Sequence, residues 1–426
     1  MSGPIEVRIA ALGAQGDGIA EAGGRRLYVP FTVPGDLARV LPGEKKGEGV
    51  AAALVELVEP GPGRGPAACA HFGVCGGCAL QHLDDAAYAS FKREQVVRAL
   101  AQHGLDGVEV AEPLVVPPRA RRRTRLTARR AGQRVLLGYV RRASHRMVDL
   151  AECPVVLPRI EAMLEPLRGL LGGFLGGRDV LHLTVTATDT GIDLLIAGDR
   201  RPGLDALQDL AAFAEAHDLA RIVWEAKDGA EPVAVRRTPA VRFGAASVPM
   251  PPGAFLQAAR ESETWMMDMA REAAAGARAV ADLFAGCGTF TAVLAETAAV
   301  SAFESSAEMV EAARRGLNHA SGLHPVTLVR RDLFREPLTV KELAPFDAVV
   351  IDPPRAGAKA QTESLAASAV PVVAAFSCNP ATFARDARVM VDGGYRLERV
   401  VPIDQFRWSA HVELAAVFRK GASSAA

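Results

Sequence analysis

Hydrophobic and polar positions change their period along this chain, and the changes mark out its units. From residue 4 to about 60 they alternate in short runs, as in Ile5-Glu6-Val7-Arg8-Ile9, Arg26-Leu27-Tyr28-Val29-Pro30 and 51–58. That is the two-residue period of strands with one buried face. Turns come from Gly13, Gly16-Asp17-Gly18, Gly23-Gly24 and Val33-Pro34-Gly35-Asp36. Several short strands in so few residues predict a small barrel of the oligonucleotide-binding kind. After a Pro-Gly stretch at 59–66, Tyr88, Phe91, Val96 and Leu100 recur at helical spacing behind Asp84-Asp85, a helix start signal. Runs at 123–129 and 135–139 predict a hairpin; strands near 181–187, 191–197 and 221–224 with a helix over 204–217 predict a mixed α+β region. From residue 253 apolar runs at 279–284, 298–303, 326–330, 346–351 and 366–375 alternate with helical segments. This predicts a doubly wound parallel sheet. The chain is therefore read as multidomain α/β, with units at 1–62, 63–252 and 253–426.

Composition narrows the class only slightly. The chain is 49% hydrophobic and 23% charged, and its 49 basic residues balance 49 acidic ones, so no global field points to a nucleic acid. The local distribution does. Arg119, Arg121, Arg122, Arg123, Arg125, Arg129, Arg130, Arg134, Arg141, Arg142 and Arg146 follow one another with no acidic residue between them. Such a stripe is the footprint of a phosphate-tracking surface. No apolar run is long enough to span a bilayer, and Glu6 and Arg8 break any secretory leader, so a reducing cytoplasm is expected. Nothing demands more than a monomer.

In that compartment six cysteines point to metal or catalytic use rather than disulfides. Cys69, Cys75 and Cys78 lie in one loop with Gly73, Gly76 and Gly77, which let the backbone fold tightly; Cys153-Pro154 is the best fourth candidate. Such a thiol set suits an iron–sulfur centre, with zinc as the rival. Cys378 follows an apolar run and precedes Asn379-Pro380, which places it at the tip of a strand where open α/β sheets bind ligands. Other predicted strand tips carry Ala285-Gly286-Cys287-Gly288-Thr289, Glu304, Asp332 and Asp352-Pro353-Pro354-Arg355. Gly-rich turns admit a cofactor to the backbone, and an acid after the second strand commonly binds ribose. Cys287 reads as a packed small residue.

Asp352-Pro353-Pro354-Arg355-Ala356-Gly357, Ser377-Cys378-Asn379-Pro380-Ala381-Thr382 and the stretch from Asp404 to Glu413 resemble the signature motifs of the RNA 5-methyluridine methyltransferases. The four cysteines Cys69, Cys75, Cys78 and Cys153 resemble that family's 4Fe-4S site. The N-terminal barrel resembles the TRAM domain of its ribosomal-RNA-specific branch. The resemblance implies a Rossmann-like C-terminal domain that uses S-adenosylmethionine, contacted by Gln257, Phe284, Thr289, Glu304, Asp332 and Asp352. It implies methylation of uracil carbon 5 in RNA, most of all 23S ribosomal RNA, with Cys378 as nucleophile at carbon 6 and Glu413 as base. A transfer-RNA substrate and a non-catalytic ribosome-assembly factor are the competing readings. An adenine amino-methylating enzyme would need neither Arg355 nor Cys378.

Overall fold

The computed structural model describes residues 3–421. At the N-terminus, Ile5–Arg8 pairs with Leu37–Lys46 while Ala11–Leu12 pairs with Gly18–Ala22, so one short segment supplies both edge strands of a six-stranded sheet. Alternation fills the interior with Val7, Ile9, Leu27, Val29 and Val40. Each such side chain, fully buried, contributes about 1.5–3 kcal/mol. The Pro-Gly stretch behind this sheet is strapped down rather than loose. Buried Asp36 accepts from Gly61 N at 2.7 Å and from Val33 N at 2.8 Å, and pairs with Arg64 at 2.5 Å.

The middle of the chain builds a seven-stranded sheet, antiparallel except where Gly191–Ala197 and Arg221–Ala226 run parallel across the helix Leu204–Ala216. Its hairpin, Arg123–Ala131 with Arg134–Val140, sends Leu126, Ala128 and Leu137 into the core. Arg125 and Arg129 face solvent on the opposite side. The basic stripe is split, however. Arg122 is 2% exposed and forms a buried ion pair with Glu263, and its Nε donates to Gln257 O at 2.9 Å. Arg142 pairs with Asp17 of the N-terminal sheet at 2.5 Å, Arg119 pairs with Glu161, and Arg130 donates to the carbonyls of Leu175 and Gly172. The guanidinium suits these carboxylates and carbonyls as well as it suits phosphate, so only part of the run remains as an open cationic face.

The C-terminal sheet has eight strands in the order Val326–Arg330, Ala299–Glu304, Ala279–Leu283, Ala348–Ile351, Val372–Ser377, Glu413–Lys420, Tyr395–Asp404, Leu114–Val115. The first five are parallel and Glu413–Lys420 runs against its neighbours. The order reverses between Ala279–Leu283 and Ala348–Ile351, and the crevice outside that switch is where such sheets take ligands. The apolar run 366–375 divides where a single strand was expected: alanines close the helix Lys359–Ala367, and the strand begins only beyond Pro371.

Two earlier segments join this sheet. Val96, Leu100, Leu105 and Val110 share a core with Leu283, Ile351 and Leu414, so the helix Asp85–Ala101 covers one face; Asp84 caps it by accepting from Ala87 N. The hairpin Ala240–Phe243 and Ala246–Pro249 packs Val241, Phe243 and Val248 into the other face with Phe290 and Phe376. A Cβ on Gly316 would lie 2.6 Å from Val248 Cγ2, so the helix Ala307–Asn318 sits that close only because residue 316 is glycine.

Candidate active site

One cavity of about 770 Å³ opens at the switch point, and Gln257, Phe284, Thr289, Glu304, Asp332, Asp352, Cys378 and Glu413 all line it. Local folding explains each position. Strand Ala279–Leu283 ends in Phe284, whose φ of 63° turns the chain sharply; Gly286 and Gly288 follow with φ of 57° and 88°. The turn is tied across the sheet, because Glu304 accepts from Gly286 N at 3.0 Å and from Ser306 N at 2.8 Å. Phe284 faces the exposed Phe334 ring at 5.3 Å between centroids. Asp332 accepts from Phe334 N at 3.0 Å and so fixes that loop. Cys287 is buried among apolar side chains, as a packed small residue would be.

On the far side, Cys378 lies between the strand Val372–Ser377 and the helix Pro380–Asp392. Asn379 caps that helix by accepting from Ala381 N, and its Nδ2 donates to Arg355 O at 3.1 Å. Thr382 Oγ1 donates to the same carbonyl at 3.2 Å, so two side chains hold the Asp-Pro-Pro-Arg loop beside the thiol. Glu413 opens the antiparallel strand next to it and is 5% exposed.

Electrostatics here are dominated by crowded acids in a poorly solvated site. Burial, then the charges of Glu413 and Asp282, push Asp352 up to about 8. Burial pushes Glu413 up to about 7, against a hydrogen bond from Gln405 and the charges of Arg355 and Lys92. Cys378 is pushed up to about 11 by burial, Glu413 and Asp352, with Arg355 pulling the other way. The thiol is therefore protonated at rest.

Beyond the residues named from the motifs, Arg121 stands in the cavity wall and Gln405 and Lys92 lie behind it. Arg121, counted in the phosphate-facing stripe, lines the cavity with its guanidinium 5.1 Å from the Phe406 ring. Gln405 is buried between Gln257 and Ala258. Lys92 lies fully buried against Asp404 at 2.9 Å and holds the carbonyls of Ser409 and His411.

Cys69, Cys75 and Cys78 are half-buried and Cys153 is buried. Burial raises the first three thiols. Ala70 N donates to Glu152 Oε1 at 2.8 Å and Ala151 N to His71 Nε2 at 3.0 Å, which bring the Cys69 loop beside the segment carrying Cys153. Backbone N–H groups of His71 and Gly77 donate to Cys69 and Cys75 sulfurs at 3.4 Å. Among the described residues no three His, Cys, Asp or Glu side chains form a ready metal-ion site. Directly after Cys78, Ala79 N and Leu80 N donate to Trp408 O at 2.8 and 3.0 Å, which joins this loop to the one carrying Gln405 and His411.

No helix among the described residues is long and apolar enough to cross a membrane. A family model described as tRNA (Uracil-5-)-methyltransferase matches residues 248–421, and one described as the TRAM domain of tRNA (uracil(54)-C(5))-methyltransferase matches residues 5–62. An RNA methyltransferase of Brucella suis is 45% identical over 98% of both chains. The 23S rRNA (uracil(1939)-C(5))-methyltransferase RlmD of Halomonas elongata is 33% identical over 96% of this chain and 88% of that one. In fold, the chain matches the Pyrococcus abyssi tRNA (uracil-54, C5)-methyltransferase solved with S-adenosyl-L-homocysteine, with a TM-score of 0.77 at 24% identity over 97% of this chain and 99% of that one. The chain belongs to the S-adenosylmethionine-dependent RNA (uracil-C5)-methyltransferases and carries an N-terminal TRAM domain.

Proposed function

We propose that this enzyme methylates carbon 5 of a uridine in 23S ribosomal RNA, with Cys378 as nucleophile and Glu413 as base. The observation that carries the reading is the single cavity lined by both residues together with Asp352 and the turn after Ala279–Leu283. The 33% identity to RlmD supports a ribosomal substrate. Transfer RNA is the second reading, favoured by the description of the family model over residues 248–421. The proposed division is an RNA-binding barrel at 1–62, a central unit at 63–252 that lends the helix Asp85–Ala101 to its neighbour, and the methyltransferase unit at 253–426.

The cavity fits S-adenosylmethionine chemically. Phe284 and Phe334 offer a paired aromatic face for a flat base, Glu304 a carboxylate for ribose hydroxyls, and Asp332, Thr289 and Gln257 further polar contacts. When bound, S-adenosylmethionine supplies an electrophilic methyl group on a sulfonium. Everything else falls to this chain's residues. Uracil carbon 5 is a weak nucleophile until carbon 6 is saturated. Addition of the Cys378 sulfur there makes carbon 5 reactive. The thiol proton leaves to solvent as the thiolate forms; Arg355 favours that anion and a protonated Asp352 opposes it less, while Glu413 is ionised for the later step. After carbon 5 is methylated, ionised Glu413 removes its proton and Cys378 leaves, restoring the ring double bond. A uridine in folded RNA must be turned out of its stack to reach this depth. Arg125, Arg129 and the barrel are proposed to hold the flanking strand.

Three thiols in a glycine-rich loop, two of them receiving backbone N–H bonds, and Cys153 on the segment hydrogen-bonded to that loop fit a 4Fe-4S cluster held by Cys69, Cys75, Cys78 and Cys153. Its place supports a structural task. Arg119 N and Arg121 N donate to Pro154 O and Val155 O beside Cys153, and Gly76 N donates to Val140 O of the arginine hairpin.

Mapping 5-methyluridine in ribosomal and transfer RNA from cells lacking the protein tests the substrate. Loss confined to 23S ribosomal RNA supports the proposal; loss confined to transfer RNA overturns it in favour of the second reading.

A further inference from the structure

Two side-chain amides stand between Asp352 and Glu413, and the backbone dictates which way they point. Gln405 is 2% exposed, and its Oε1 accepts from Ala258 N at 2.7 Å and from Ser262 Oγ at 3.2 Å. With the oxygen so engaged, its Nε2 can only donate, and it gives one hydrogen to Gln257 Oε1 at 2.8 Å. The other is free toward Glu413, which sits opposite Ile403 across the sheet, two residues before Gln405, and a hydrogen bond from Gln405 favours the ionised form of that carboxyl. Gln257, its own oxygen now occupied, must turn Nε2 toward Asp352 Oδ2, 3.3 Å away. The far end of Gln257 is equally fixed, because Arg122 Nε holds its carbonyl while pairing with buried Glu263.

We propose that Gln405 is a positioning residue of the methylation reaction: one directed amide chain presents the N–H edge of Gln257 to Asp352 and holds Glu413 in place for proton removal. This rests on the role proposed for Glu413 above. The chain has a chemical consequence at each end. Since Asp352 Oδ2 accepts from Gln257, any proton on Asp352 resides on Oδ1, which makes that oxygen a donor. At the other end, an N–H donated to a carboxylate favours its ionised form. Glu413 also faces the cations Arg355 and Lys92, which act in the same sense, and the acids Asp352 and Cys378, which it opposes; His411 lines the same cavity.

Gln405→Met keeps the volume and removes the chain. The pH dependence of single-turnover methylation should shift its rising limb upward by about one pH unit, and kcat should fall roughly tenfold with the KM for RNA unchanged, the weight of one hydrogen bond to a charged group. Gln405→Leu is a second variant that removes both donors without adding charge, and it should show the same shift should the methionine variant fail to fold. Rate and pH profile unchanged in a folded variant, with Glu413→Gln inactive, would overturn the relay alone. Full turnover by Glu413→Gln would instead overturn the assignment of the base.

Discussion

Lys92 Nζ lies 2.9 Å from Asp404 Oδ1 with both side chains wholly shut off from solvent, although the two residues are far apart in sequence. Tyr88, one turn earlier on the same helix, donates its hydroxyl to Asp404 and accepts from Trp408 N at 2.7 Å. A helix contributed by an earlier part of the chain thus fastens the loop that delivers Phe406 and His411 to the cavity. Breaking such a pair strands one charge in the interior. Lys92→Met should therefore lower stability by about 3–5 kcal/mol in urea unfolding. Lys92→Met with Asp404→Leu should recover most of that loss while methylation stays low, because the carbonyls of Ser409 and His411 remain without their donor.

Three buried acids give the fold a pH dependence of unusual sign. Burial raises Asp352 to about 8 and Glu413 and Asp282 to about 7, from ordinary values of 3.8 for aspartate and 4.5 for glutamate. The folded chain keeps protons there that the unfolded chain releases, so these groups make stability fall as pH rises from about 4 to about 8. Asp352→Asn removes the largest of the three. Its melting temperature should exceed that of the wild type at about pH 8.5, and the gap should narrow at about pH 5. A variant less stable than wild type at the higher pH would contradict this.

The split arginine run separates two phenotypes. Arg125 and Arg129 are exposed, and replacing both with alanine should weaken RNA binding and flatten the log–log salt dependence by about 1.4–1.8, the share of two phosphate contacts. Arg122→Ala should instead destabilise the protein with that slope unchanged, because Arg122 is spent on Glu263. Filter binding across a salt series, with melting curves for each variant, distinguishes the two.

Cys153→Ser should abolish iron and acid-labile sulfide in protein purified without oxygen. It should also raise hydrogen exchange at residues 408–411, since Ala79 and Leu80, next to Cys78, hold Trp408 O. Exchange unchanged there in an iron-free variant would show that the cysteine loop does not support the loop carrying Gln405 and His411.

Much of this was legible in the residue pattern, and the exceptions have physical reasons. Apolar runs each ended by a polar residue or glycine turn located the strand tips, and Glu304, Asp352 and Cys378 all face the cavity as those positions required. Arg122 could have been placed too: it shares parity with Thr124, Leu126 and Ala128, the inward positions of its strand, and uniform charge masked that. Lys92 gave no signal, because a lone cation beside Phe91 reads as a snorkelling surface residue until its partner is known. The helix over 359–367 was hidden by alanines that suit helix and buried strand alike, although Pro371 marked the break.

The most direct test is covalent capture. RNA carrying 5-fluorouridine at the target position cannot lose its carbon 5 substituent, so incubation with S-adenosylmethionine should leave enzyme and RNA joined through a denaturation-stable bond. Peptide mapping should place that bond on Cys378, and Cys378→Ala should form none while still binding RNA. A crosslink at any other residue, or methylation of ordinary uridine by Cys378→Ala, would contradict the assignment of the nucleophile.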